Sequence, residues 1–288
     1  MRLSSEAPAS FRTTAIRPGP ARLVRNGWTD VVSRRRLIGY LVRASLKKKG
    51  ADTLLGNIWW VVDPLLQMLV YVILVSVIFQ RTQPDDPLFI LCAILPWKWF
   101  ASAIGDGTGS VIGSERLIKQ INFPKLVLPV SSVFSGIANF AFGLIPLAAI
   151  MIVAYPDRIS AWLLAIPVVA AVQLLFTLPL AIALAAVNVF YRDVGNLSRH
   201  VLRLWFYLSP SIYGIDLILR VTEDYPIVGT LMQLNPFAIL FTAYRDAIYE
   251  GRAPDWQALG VLALVSVGLL AVGTWLFKRV EPMFAKVL

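Results

Sequence analysis

Two long stretches without a formal charge constrain this chain more than anything else in it. Residues 126–154 and 161–190 contain no Lys, Arg, Asp, Glu or His. A helix of about 20 apolar residues matches the roughly 30 Å hydrocarbon layer of a bilayer. The chain is 57% hydrophobic and 15% charged, and the apolar residues fall in several runs of that length. The expected class is therefore an all-α polytopic membrane protein with six spans. They are placed at 58–79, 88–112, 126–154, 161–190, 201–219 and 256–277.

Charge is uneven along the chain. Residues 1–50 carry 12 of the 27 Lys and Arg against only Glu6 and Asp30, so the whole formal net charge of +10 resides there. A basic segment just before a first span is a topology signal and a contact for anionic headgroups, and it does not imply nucleic acid. Residues 1–33, rich in Arg, Pro, Ser and Ala, are expected to be a flexible cytoplasmic tail. No secretory leader is expected, because no apolar segment precedes Ile58. Over residues 34–57 an amphipathic helix is expected. Ile38, Leu41, Val42, Ser45 and Leu46 recur with helical spacing, while Arg36, Arg43 and Lys47 take another face. Such a helix can lie in the membrane interface.

Trp59 and Trp60 mark the cytoplasmic end of the first span, followed by Asp63-Pro64, a helix-start pair. Lys98 lies well inside the second span. Burying a charge at that depth costs about 2.5–3.5 kcal/mol on the insertion scale, so Lys98 must face a cavity, a partner or the headgroup layer. The segment 95–129 joins an aromatic cluster to a short charged helix at 114–121 and then re-enters the membrane after Phe123-Pro124. It reads as a pore-facing surface continuous with a cytoplasmic handle. Residues 225–251 are apolar but interrupted by Pro226, Pro236, Arg245, Asp246 and Glu250. Read as a seventh span they would place the basic C-terminal residues Lys278, Arg279 and Lys286 outside, so two short helices dipping in from the outer side are expected.

Several chemistries are excluded. One histidine, His200, and one cysteine, Cys92, cannot build a zinc site or a Cys/His nucleophile pair. GDGTGS at 105–110 lacks the Gly-Lys-Ser/Thr of a phosphate loop. Asp106, Asp193 and Asp216 fall near span ends, whereas an ion-driven carrier places ionisable groups near the midplane. What remains is a set of rings: Tyr71, Trp97, Trp99, Phe100, Trp205, Phe206, Tyr207 and Tyr213. Rings with apolar faces and, for Trp and Tyr, a hydrogen-bonding tip suit a sliding sugar chain, but they also suit interfacial belts.

DPLLQMLVY (63–71), LPWKWF (95–100), LIKQINFPKLVLP (117–129), NVFYRDVGN (188–196), WFYLSPSIY (205–213) and LNPFAILFTAYRDAIYEG (234–251) occur in this order. Together they resemble the permease subunit of ABC-2 type polysaccharide exporters, the O-antigen and teichoic-acid exporters. The resemblance covers residues 42 to 288. It implies a homodimer of six-span subunits on two copies of a separate ABC ATPase, in the bacterial cytoplasmic (inner) membrane with both termini cytoplasmic. ATP and Mg would be bound by that partner, and this chain would hold no cofactor, no metal and no catalytic residue. It further implies that the amphipathic helix is an interface helix and that 114–121 is a coupling helix, with Ser114, Glu115, Arg116, Lys119 and Gln120 meeting the ATPase. The helices within 225–251 would be gate helices, and the rings a channel lining. The substrate would be a polysaccharide on undecaprenyl diphosphate, for which Arg36, Arg43 and Lys47 are candidate diphosphate contacts. The alternatives are the same architecture moving a drug, lipid or small amphiphile, a lipid-linked sugar transferase, and an ion-driven carrier.

Overall fold

A computed structural model describes residues 19–50, 54–74, 86–211, 222–223 and 225–288. Among the described residues the secondary structure is helical: α1 (Pro20–Ser33), α2 (Arg35–Gly50), α3 (Trp59–Ile73), α4 (Asp86–Gly109), α5 (Glu115–Gln120) and α6 (Val127–Ala154) come first. They are followed by α7 (Ile166–Phe190), α8 (Val194–Leu208), α9 (Pro226–Gln233), α10 (Pro236–Ile248), α11 (Trp256–Val280) and α12 (Phe284–Val287).

Among the described residues four helices are long and apolar enough to cross a bilayer: Pro87–Gly109, Val127–Ala154, Ala161–Phe190 and Trp256–Met283. The chain is thus a multi-pass membrane protein. The helix α3 is apolar but shorter, and the ends of the spans expected at 58–79 and 201–219 fall in 75–80 and 212–219, outside the described residues. Among the described residues the spans number four, or five if the bent pair Pro226–Met232 and Pro236–Ile248 is one span. The pair α9 and α10 is bent by 61° about the break at Asn235. Asn235 starts α10, its side-chain oxygen accepting from Phe237 N at 3.0 Å, which satisfies one of the free amides of a helix start.

The middle of the bundle is α4, which packs against α3, α6, α7, α8 and α10. Its apolar window is 72% buried, against 28% for those of α6 and α11. That difference is sequence-borne. Along α4, Leu88, Ile90, Leu91, Cys92, Ala93, Ile94 and Leu95 are buried on successive positions, as expected of a helix apolar all round. By contrast α11 leaves Val261, Leu264, Val265, Val267 and Val272 exposed, a surface suited to acyl chains. Gly107 lets α4 approach α7: a Cβ there would stand 2.9 Å from Ala181 Cβ. Of the three glycines in 105–109, Gly107 alone faces such a contact, and the helix runs on through all of them.

Residues 20–33 correct the expectation of a flexible tail extending to residue 33. Pro20 begins a helix, as its fixed φ favours at a first helical position. This helix, α1, packs on α11, where Gly27 meets Thr274 and Lys278. Lys278 Nζ holds Asp30 at 2.9 Å and Glu281 at 2.8 Å, and the other oxygen of Glu281 accepts from Lys125 N at 2.6 Å. The composition of the segment hid this, because α1 is ordered by a partner 248 positions away.

The amphipathic helix forms as α2, with Ile38, Leu41, Val42, Ser45 and Leu46 half-buried and Arg36, Arg43 and Lys47 exposed. The buried side packs against α6, so protein covers much of the face expected to meet acyl chains. At its end Lys49 reaches Asp106 of α4 at 2.6 Å.

Candidate translocation path and coupling surface

The rings singled out from the sequence separate into three environments. Trp97, Phe100 and Phe206 are buried in one cluster with Phe176, Phe237 and Phe241. Trp97 meets Phe237 edge-on at 4.7 Å, and Phe100 lies 4.6 Å from the same ring. Trp205 joins them half-buried, edge-on to Phe100 at 5.5 Å. Trp99 points elsewhere and stacks on Phe140 of α6 at 5.0 Å. Tyr71 is buried against Phe206 at 5.8 Å, and Tyr207 is 51% exposed. Tyr213 lies outside the described residues. Within this chain, then, most of these rings pack α4, α7, α8 and α10 together, and Tyr207 presents the most open ring surface of the described set.

Lys98 forms an ion pair with Asp63 of α3, whose side chain is largely exposed. This answers the requirement that a charge in this helix face a partner or a cavity, and it gives Asp63 a second role beyond the start of α3. The exposure of Asp63 leaves the pair partly solvated, so its net worth is that of a surface pair, about 0–1 kcal/mol.

Three side-chain amides, none singled out in the sequence, organise the contacts, and a fourth lies nearby. Gln173 donates through Nε2 to Pro96 O at 2.7 Å and accepts from the Tyr244 hydroxyl at 3.0 Å. Asn188 donates to Thr108 O at 2.9 Å and accepts from Gly195 N at 3.0 Å, so the last turn of α4 is tied to the start of α8. Asn235 accepts from Trp205 Nε1 at 3.0 Å and donates to Ser209 Oγ at 2.8 Å. Asn139 lies on α6 beside Trp99 and Phe140. The available signal is chemical: a lone amide in an otherwise apolar helix is costly unless it is bonded.

The chain leaving α8 at Pro210 and Ser211 is held by Arg245 of α10, which is 6% exposed. Its guanidinium donates to Pro210 O at 2.6 Å and Ser211 O at 2.7 Å and lies 3.5 Å from the centre of the Phe89 ring. Asp246 is paired with Arg252 at 2.6 Å, across a reversal at Gly251 where φ is +65°. Of the charges that interrupt residues 225–251, Arg245 thus clasps α10 to the end of α8, and Asp246 clasps the turn after α10.

The charged segment 114–121 forms as a short 3₁₀ turn, Ile112–Ser114, running into α5. Ile118 is buried beneath it. Glu115, Arg116 and Leu117 border a shallow groove with Gly113 and Ser114. Glu115 accepts from Lys119 at 2.6 Å along one helical turn, and that hydrogen bond, with the positive charge behind it, holds the Glu115 carboxyl below its ordinary range. Lys119 also donates to Leu288 O at 2.8 Å. Gln120 ends α5 and is exposed. The resulting surface is an apolar-rooted, charge-fringed knob joined to α4 by the residues after Gly109.

Comparison with known proteins places these features together. A family profile described as ABC-2 type transporter matches residues 36–249. The chain is 35% identical over 265 residues to the O-antigen export system permease protein RfbA of Myxococcus xanthus, covering 92% of this chain and 98% of that protein. It is 27% identical to the O-antigen export system permease protein RfbA of Klebsiella pneumoniae, over 88% of this chain and 95% of the other. It is 22% identical to the polysialic acid transport protein KpsM of Escherichia coli, over 79% and 86%. With the profile match spanning most of its length and the helical bundle described above, the chain belongs to the ABC-2 type transporter family.

Proposed function

We propose that this chain is the membrane-spanning subunit of an ATP-driven exporter that moves a lipid-linked polysaccharide of the O-antigen kind across the bacterial cytoplasmic membrane. The observation that carries this reading is the 35% identity to an O-antigen export permease over 98% of that protein's length. Two subunits form the conduit, each with six spans and both termini in the cytoplasm, and α9 and α10 enter from the outer side as a gate. A separate ABC ATPase, in two copies, binds ATP and Mg and seats α5 through Ser114, Glu115, Arg116, Lys119 and Gln120. The exposed position of α5, rooted by Ile118 and adjoining the end of α4, supports that role. Closure of the ATPase biases α4, and the ring cluster ties α4 to α8 and α10, so the bias reaches the gate pair through packed side chains. Tyr207 and Tyr71 lie on the conduit side, and Trp97, Phe100, Trp205 and Phe206 back them. Trp99, stacked on Phe140, backs the space between α3, α4 and α6. Arg36, Arg43 and Lys47, exposed on α2, meet the diphosphate of an undecaprenyl carrier.

The test is complementation with a paired purification. In a host from which the gene for this chain is deleted, its return restores surface polysaccharide. Gentle detergent extraction brings down a nucleotide-hydrolysing subunit in equal amount. Unchanged surface glycan in the deletion strain, or transport by the isolated chain in liposomes without nucleotide, overturns the reading.

A further inference from the structure

The membrane-spanning helix α4 carries a polar stripe on one face. Lys98, Ser102 and Asp106 recur every four residues and cover about 12 Å of its length. Each charge on the stripe has a partner from another helix. Lys98 pairs with Asp63 of α3, and Asp106 pairs with Lys49 of α2 at 2.6 Å. Ser102 stands between the two pairs, its hydroxyl donating to Asp106 at 3.3 Å. All four charged side chains keep accessible surface, from 26% for Lys49 and Lys98 to 67% for Asp63. The seam between α2, α3 and α4 is therefore open to a ligand along its length.

At its deeper end, between α3, α4 and α6, lies a cavity of about 400 Å³ lined by Asp63, Lys98 and Ser102. It falls within the roughly 300–1,000 Å³ typical of small-ligand sites. Trp59 and Trp60 form part of the same wall, and indoles favour the headgroup level of a bilayer. Trp60 is held against Phe142 of α6, with ring centres 5.1 Å apart. Beyond that contact the surface turns apolar, Phe142 and Ile145 being exposed one turn apart on α6.

The charges of the seam sum to zero, two carboxylates against two ammonium groups. A ligand with a single charge would have to strand one member of a pair. A ligand that carries both signs exchanges partners and strands none. A pair as exposed as Asp63–Lys98 opens at little cost. A phosphate can then accept from Lys98 and from the Ser102 hydroxyl. A primary ammonium can donate to Asp63 and lie against the faces of Trp59 and Trp60. The apolar surface that continues from the rim calls for a tail on the same molecule.

We propose that this seam and its cavity bind a phospholipid with a phosphoethanolamine headgroup, its ammonium at Asp63 and its phosphate at Lys98 and Ser102. The site needs only that the chain spans a membrane, so it stands apart from the polysaccharide reading above. It gives the charges on α4 a use beyond pairing, since a lipid seated there bridges α3 to α4.

The test offers the full chain, purified in mild detergent, an equimolar mixture of phosphatidylethanolamine, phosphatidylcholine and phosphatidylglycerol with identical acyl chains. Bound lipid is counted by native mass spectrometry. Phosphatidylcholine keeps both charges but cannot donate to Asp63, and phosphatidylglycerol carries the negative charge alone. Phosphatidylethanolamine adducts should exceed either of the others by about fivefold, the order expected of one net hydrogen bond. Asp63→Asn and Lys98→Gln should each remove most of that excess, and Lys98→Arg should keep it. The double variant Asp63→Asn with Lys98→Gln strands no charge and should abolish the excess, which reads the site however well either single variant folds. Equal adducts of all three lipids would mean an unspecific annulus only and overturn the site. A preference for phosphatidylcholine or phosphatidylglycerol overturns it too, as does a phosphatidylethanolamine excess that survives in the double variant.

Discussion

Trp205 Nε1 donates to Asn235 Oδ1 at 3.0 Å, and the same oxygen accepts from Phe237 N at 3.0 Å. One amide thus caps α10 and fastens it to α8, with Nδ2 reaching Ser209 to complete the set. Asn235→Ala leaves a buried indole N–H and a helix start unmatched. A loss of about 2 kcal/mol follows from cap and hydrogen bond together. Thermal unfolding in detergent should shift down by several degrees, and Asn235→Asp should recover part of the shift, because its carboxylate oxygen still accepts from both donors.

Charge reversal across α5 addresses the knob. Glu115→Lys, Arg116→Glu and Lys119→Glu combined should leave the amount of membrane-inserted protein unchanged and reduce export at least tenfold while the partner's ATP hydrolysis continues. Export rate and ATPase rate in the same proteoliposomes are the paired readouts. Export that keeps pace with hydrolysis in the triple variant would mean that α5 does not transmit the motion.

The Asp63–Lys98 pair predicts a rescue pattern. Asp63→Asn strands an ammonium within α4, and Lys98→Gln strands a carboxylate on α3. Removing one partner leaves the other charge uncompensated, which removing both avoids. Because Asp63 is well exposed, the effect of either single change should be modest, about 1 kcal/mol, and the double variant should lie closer to wild type than either. A double-mutant cycle by thermal unfolding measures the coupling.

Glu115 supplies a pH dependence of known sign. Hydrogen bonding from Lys119 and its charge hold the carboxyl below the ordinary 4.5. A depressed folded-state value means that the pair's contribution is complete above the ordinary range and fades as pH falls through the lower, folded value. Lys119→Gln should move the Glu115 titration upward toward 4.5, read from side-chain carbon shifts of glutamate-labelled protein.

Much of this fold can be read from the sequence where one chain segment is enough to carry the information. The uncharged runs at 126–154 and 161–190 announce their helices by length alone. The half-buried face of α2 follows from the spacing of Ile38, Leu41, Val42 and Leu46, and α5 from a charged insertion between apolar runs. Residues whose meaning lies in a distant partner are opaque. Asn188 finds Thr108 O across 80 positions, and Gln173 finds Pro96 O across 77. Gln173 lies in no motif, and the motif that Asn188 opens says nothing of its partner. The rings show the same divide. Their types suit a channel, yet only packing distinguishes the buried Trp97 and Phe100 from the open face of Tyr207 and the cavity-lining Trp99. The order of α1 was hidden for the reason that hid Asn188, since Asp30 acquires its role only when Lys278 arrives beside it.

That last contact has a mechanical corollary. Asp30, Lys278, Glu281 and the backbone of Lys125 form an unbroken polar string. It stitches the first described helix, the long helix α11 and the strand of chain leaving the knob into a girdle closed without a covalent bond. Under the coupling proposed above, a displacement of α5 is resisted by α1 and α11 through this girdle.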